Sequence, residues 1–188
     1  MSGNTDTGVS DARGCVIWIT GRPSAGKSTF ARRVRELLGA HCGPTLILDG
    51  DAVRARLKPA PGYDEQSRSD FYRTLAGLAA LLAEQGFLVL VPATAHKAEF
   101  RELARQLAPR FLEVFVDAPL AVCVARDSKG LYAMSRRGEV DALPGIGKHF
   151  DAPEHADVVA LGGKDGAAHQ RLVQLVLRAL AAVELAPG

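Results

Sequence analysis

Gly21-Arg22-Pro23-Ser24-Ala25-Gly26-Lys27-Ser28-Thr29 stands between an apolar run, Val16-Ile17-Trp18-Ile19, and an amphipathic stretch that starts near Thr29. The spacing G-x-x-x-x-G-K-[ST] is that of a phosphate loop. In such a loop the backbone N–H groups curl around nucleotide phosphates, the lysine reaches the β and γ oxygens, and the serine hydroxyl helps to hold Mg²⁺. The positive end of the following helix is aimed at the same anions. Strand, loop and helix in that order are what the geometry needs, and both flanks have the right composition. Gly21, Ser24, Ala25, Gly26, Lys27, Ser28 and Thr29 are therefore expected to cradle ATP, with Mg²⁺ on Ser28.

The 188 residues suit one domain, with or without a lid, and 47% hydrophobic content supplies a sizeable core. A formal charge of +2 is too small to give general affinity for nucleic acid or membrane surfaces, so neither is expected as a partner. Cys15, Cys42 and Cys123 are odd in number and lack metal-ligand spacing. They read as reduced thiols, which points to the cytoplasm. Residues 1–13 are polar and carry no apolar signal region, so a disordered tail is expected before a single domain at 14–188.

Apolar runs at 15–20, 45–48, 87–91, 112–116 and 157–161 alternate with stretches of helical period. Short strands buried on both faces and separated by helices imply a three-layer α/β fold of the P-loop NTPase kind, its sheet mostly parallel and about five-stranded. Phe71, Leu75, Leu78, Ala79 and Leu82 recur at helical spacing and are read as core, with Gly86 as a left-handed cap. Residues 129–150 are basic, glycine-bearing and weakly apolar, a composition that reads as a mobile lid.

Doubly wound sheets place ligands at the carboxyl ends of their strands, so the polar residues just after each run are the ones to inspect. After the second run come Asp49-Gly50-Asp51 and Arg54; after the third, Thr94, His96 and Lys97; after the fourth, Asp117 and Arg126 to Lys129. If the second strand neighbours the phosphate loop, Asp49 and Asp51 meet the Mg²⁺ and the γ-phosphate, and period-two spacing in an extended segment points them the same way. Asp49 then orients Mg²⁺ through water while Asp51 accepts the proton of an attacking hydroxyl. An aspartate here also suits a helix N-cap, a compatible role. Arg54, Arg68, Arg73 and Lys129 are the cations placed to grip an anionic acceptor, though each also suits an exposed ion pair worth under about 1 kcal/mol. Tyr63 is read either as a stacking surface for a base or as a loop anchor tucked against the core.

With these residues in view the chain resembles the adenylylsulfate kinase (APS kinase) family, over residues 15–157. The resemblance is carried by Gly26-Lys27-Ser28-Thr29, Leu48-Asp49-Gly50-Asp51-Ala52-Val53-Arg54, Val114-Phe115-Val116-Asp117-Ala118-Pro119-Leu120, Ala125-Arg126-Asp127-Ser128-Lys129-Gly130-Leu131-Tyr132, Gly145-Ile146 and Asp151-Ala152-Pro153-Glu154. It implies phosphorylation of the 3′-hydroxyl of adenosine 5′-phosphosulfate by MgATP. Arg54, Arg68 and Lys129 would touch the acceptor, Tyr63 would replace a stacking phenylalanine, Arg126 would lie near the ATP base, and the chain would form a homodimer.

Departures from the family pattern gather on the acceptor side. Phe71 stands where the family has an asparagine, Leu143 where it has a phenylalanine, and Thr94 where it has the serine of a Phe-Ile-Ser-Pro segment. Ser24 replaces a loop glycine. These changes open two alternatives: a different nucleotide-like acceptor, such as a cytidine diphosphate derivative, or a nucleotide-binding regulatory module without turnover. Direct in-line transfer, with no covalent step at Thr94, is expected.

Overall fold

In the computed structural model, which describes residues 14–39, 42, 44–138 and 143–184, the first apolar run forms β1 (Cys15–Thr20), buried at every position. It sits mid-sheet. With β2 (Thr45–Ile47), β3 (Leu88–Pro92), β4 (Phe111–Val116) and β7 (Val158–Ala160) it makes five strands in the order β2-β3-β1-β4-β7, all pairs parallel. A strand paired on both edges and covered on both faces is apolar throughout, which is why this run shows no alternation. All five expected strands are present.

Alternate residues of β1 serve two cores. Cys15, Ile17 and Ile19 pack with Phe30, Val34 and Leu172 from α1 (Lys27–Leu38) and α7 (Gly166–Glu184). Val16 and Trp18 pack with Leu75, Ala79 and Phe100 from α3 (Glu65–Glu84) and α4 (Ala98–Leu107). Helices thus cover both faces of the sheet, the expected three layers, and the valine, leucine, isoleucine and phenylalanine side chains among these each contribute roughly 1.5–3 kcal/mol on burial.

α3 opens on Asp64, whose carboxylate accepts the Ser67 N–H at 2.9 Å. It closes with the Phe87 N–H donating to Leu82 O at 3.2 Å and the Gly86 N–H to Ala83 O at 2.9 Å. Gly86 takes φ +88, the left-handed turn its position predicts. The buried face is Phe71, Tyr72, Leu75, Ala76, Ala79, Ala80 and Ala83. Leu78, expected in the core, is 37% exposed, because the helix lies against its neighbours on its alanines.

The expected lid is partly built into the core. Tyr132 of α6 (Leu131–Arg136), the helix after α5 (Leu120–Arg126), is buried and donates its hydroxyl to Pro23 O at 2.9 Å; Leu143 and Phe150 are buried as well. Between them β5 (Leu143–Pro144) and β6 (Gly147–Lys148) pair as a small separate sheet. The expected tail at 1–13 and lid residues 139–142 lie outside the described residues. No helix among the described residues is long and apolar enough to cross a membrane.

Candidate active site

The loop after β1 is shaped by close backbone contacts. A Cβ on Gly21, at φ +150, would meet Val116 O at 2.6 Å, and one on Gly26, at φ +104, would meet Gly163 N at 2.8 Å. Ser24, where the resemblance sets a glycine, takes the left-handed φ of +60 at a cost of roughly 1–2 kcal/mol. Arg22 ties the loop to the end of β4 through Asp117 at 3.2 Å.

Lys27 is half-buried, and its ammonium donates to Gly21 O and Arg22 O, each at 2.9 Å. Burial pulls its pKa down from 10.5 to about 8, with the Asp51 charge opposing the shift. Ser28 donates its hydroxyl to Asp49 Oδ2 at 2.6 Å. The other oxygen of Asp49 accepts the N–H groups of Asp51 and Ala52, at 3.0 and 3.4 Å, which caps the short α2 (Gly50–Arg54).

Two expectations are corrected here. β2 does not neighbour β1, since β3 lies between them; Asp49 reaches Ser28 because the chain turns into α2 at once. Nor do Asp49 and Asp51 project from an extended segment. Asp49 is the cap and Asp51 sits in the first helical turn, its carboxylate paired with the Lys129 ammonium.

One cleft of about 1650 Å³ brings these groups together. Ser24, Gly26, Lys27, Ser28, Thr29 and Arg126 line it, while Gly21 and Ala25 do not, though Ala25 O accepts from Arg126 at 3.2 Å. Asp49, Asp51, Arg54, Tyr63, Arg68, Thr94 and Lys129 line the same cleft. The Arg54 guanidinium donates to Pro61 O and Gly62 O, at 3.1 and 2.8 Å, and lies 3.9 Å over the Phe71 ring and 4.8 Å over that of Tyr63. Arg68 stacks on Tyr63 at 5.5 Å. Tyr63 is 61% exposed, so it is no anchor tucked against the core.

Other expected residues fall elsewhere. Arg73 is exposed and does not line the cleft; His96 is buried behind it; Lys97 pairs with Glu65 and Glu99. Sequence reasoning also missed a whole wall, Leu161 to Asp165, which packs on the phosphate loop through Gly163. The signal was available: Gly162-Gly163 follows the fifth strand, where the carboxyl-end rule applies as it does to the others.

Among the described residues no group of three or more His, Cys, Asp or Glu side chains is arranged to hold a metal. The hydroxyl of Ser28 beside the Asp49 carboxylate is nonetheless a hard-oxygen donor pair of the kind Mg²⁺ takes when phosphates and water complete its shell.

Sheet order and loop together define a P-loop nucleotide-binding fold, and carboxylates and cations facing the loop across one cleft narrow the class to phosphotransferases. The comparisons place the chain within that class. The family model described as Adenylylsulphate kinase matches residues 13–161, and the chain belongs to that family. The adenylyl-sulfate kinase of Paraburkholderia xenovorans is 43% identical over 152 residues, covering 80% of this chain and 85% of its own length. That of Aeromonas salmonicida is 42% identical over 168 residues, 88% of this chain and 84% of the relative. Among solved structures, the Mycobacterium tuberculosis APS kinase CysC, in complex with AMPPNP and APS, superposes with a TM-score of 0.78 at 37% identity, covering 89% of this chain and 98% of that one. The chain is an ATP-dependent kinase of this family.

Proposed function

We propose that this chain transfers the γ-phosphoryl group of MgATP to the 3′-hydroxyl of adenosine 5′-phosphosulfate. The observation that carries the proposal is the contact of Ser28 with Asp49 at 2.6 Å, with Asp51 one step along α2 in the same cleft as Lys27. The phosphate-loop N–H groups and Lys27 hold the β and γ phosphates, and Arg126 flanks the base. Ser28 and Asp49 would hold Mg²⁺, which would supply positive charge against that developing on the transferring group. The acceptor oxygen bonds to the γ-phosphorus as the bond to the bridging β–γ oxygen breaks; the hydroxyl proton goes to Asp51, and ADP leaves.

Arg54, Arg68 and Lys129 offer charge-assisted donors to an acceptor carrying phosphate and sulfate. An anion that engages Lys129 competes for its pairing with Asp51 and frees that carboxylate for the hydroxyl. Movement of the lid residues near 129–150 would exclude water from the γ-phosphate. Thr94 lines the cleft and takes no covalent part.

A second acceptor class is favoured by one observation: Leu143 lines the cleft where the family pattern has a phenylalanine, so an adenine meets an aliphatic side chain and no ring at that position. Turnover with MgATP against adenosine phosphosulfate and a panel of nucleoside diphosphate conjugates, including cytidine diphosphate derivatives, decides between them. Selective turnover of adenosine phosphosulfate supports the proposal; selective turnover of a conjugate replaces it; ATP binding with no turnover on any acceptor leaves a regulatory module. The same reading carries a homodimer, tested by light scattering, and a cytoplasmic setting, which the free thiols Cys15, Cys42 and Cys123 suit.

A further inference from the structure

The loop after β3 holds a backbone conformation that its sequence does not favour. Ala95 takes φ +38, a region that side chains other than glycine rarely enter, and it is fully buried. Its neighbour Thr94 is half-buried and lines the cleft on the acceptor flank. Something must hold this turn. The Ala95 N–H donates to the Tyr72 hydroxyl at 2.9 Å, and Ala95 O accepts from the Arg101 guanidinium at 2.9 Å.

Both clamping side chains are themselves fixed from behind. Tyr72 is 6% exposed and stacks on Phe100 at 4.5 Å. Arg101, 5% exposed, donates from Nε to Glu113 Oε1 at 2.8 Å, and the second Glu113 oxygen accepts from Arg105 at 2.9 Å. The Glu113 N–H donates in turn to Asp157 Oδ2 at 2.7 Å. On the cleft side Thr20 donates its hydroxyl to Thr94 O at 2.7 Å, which fixes the residue before the turn. A buried ion pair between α4 and β4 thus ends on the carbonyl of the residue next to Thr94.

We propose that Tyr72 and Arg101 are positioning residues for phosphoryl transfer, clamping Ala95 in its left-handed turn so that Thr94 is presented to the acceptor. This rests on the kinase function proposed above. Neither side chain is assigned contact with the transferred group. Loosening the turn displaces the acceptor wall, while the phosphate loop, which follows β1, is still braced by Asp117 and by Gly163 and keeps its shape.

Tyr72→Phe removes one buried oxygen and leaves the ring that stacks on Phe100. With MgATP and adenosine phosphosulfate, kcat/KM for the acceptor should fall about ten- to hundredfold while KM for ATP stays put, the scale of loss that a small misplacement brings. Hydrogen exchange at residues 93–97 should quicken, with the rest of the protein unchanged. Arg101→Lys keeps a charge against Glu113 without reaching the Ala95 carbonyl as well; it is read in the same way and serves alone should Tyr72→Phe not fold. An acceptor kcat/KM equal to wild type, an equal loss for ATP and acceptor, or unchanged exchange at 93–97 overturns the proposal. If the wild type does not phosphorylate adenosine phosphosulfate, the proposed function fails first, and exchange at 93–97 in the ATP-bound protein still shows whether the clamp exists.

Discussion

Lys27 shows how much a single position decides. Its ammonium is tucked against two backbone carbonyls of its own loop, and the water lost there holds its pKa at about 8, well under the ordinary 10.5. Phosphates brought beside it favour the charged form, so nucleotide binding at about pH 8.5 should take up protons, and at about pH 6.5 almost none. Calorimetry in buffers of different ionisation enthalpy measures this. The sign for folding follows from the same shift. Between about 8 and 10.5 the unfolded chain holds this proton more tightly than the folded one, so the lysine's contribution to stability improves as pH rises through that window. Gly163 is the second decisive residue. A Cβ there would lie 2.4 Å from Gly26 O, so Gly163→Ala must displace the phosphate loop. KM for ATP should rise about tenfold with KM for the acceptor unchanged. The glycines of the motif were legible because their spacing is local; the place of Gly163 after the fifth strand marked it for inspection, but its need for a bare Cα comes from a contact across the chain.

At the scale of elements, the strands were readable and the helix faces less so. Runs such as 15–20 announce themselves because a strand covered on both faces needs apolar side chains at every position. α3 presents a subtler case. Its large apolar residues suggested one face, whereas the buried face is turned toward Ala76, Ala80 and Ala83, and Leu78 points away. Gly14 explains the preference: a Cβ there would fall 1.6 Å from Ala83 O, so the helix lies directly on backbone and only small residues fit. α7 carries a prediction of its own. Asp165 precedes it and accepts the Ala168 N–H at 3.1 Å while its other oxygen accepts the Leu161 N–H at 3.0 Å, so one carboxylate caps the helix and fixes the wall beside the phosphate loop. Asp165→Ala should cost about 0.5–2 kcal/mol, read by chemical denaturation. Those same hydrogen bonds hold the Asp165 pKa below 3.8. Its contribution is therefore complete above that value and is lost as pH falls through the lower folded one.

For the whole molecule, the class of fold was legible and the strand order was not. Alternating strands and helices fix a parallel sheet with two covered faces, but nothing local says that β3 inserts between β1 and β2. That insertion matters to the site. It sets β2 one strand away from the phosphate loop, and the approach of Asp49 to Ser28 is then made by the turn into α2 rather than by sheet adjacency. The candidate residues share one cleft because they follow the carboxyl ends of parallel strands, where the topology gathers them whatever the order. The acceptor end was harder to read, since the stacking of Arg54 on Phe71 and the clamp on Ala95 join residues far apart in sequence.

The central claim is that Lys27 and its loop drive phosphoryl transfer within a cleft shared with Asp49 and Asp51. Following radiolabel from the γ-position of ATP into adenosine phosphosulfate, in wild type and Lys27→Ala, tests it most directly. The wild type should label the acceptor, and the variant should lose at least about a thousandfold in rate. It should also keep a cooperative melting transition, because the side chain lines the cleft and fills no part of the hydrophobic core. Transfer by Lys27→Ala within about tenfold of wild type would contradict the claim.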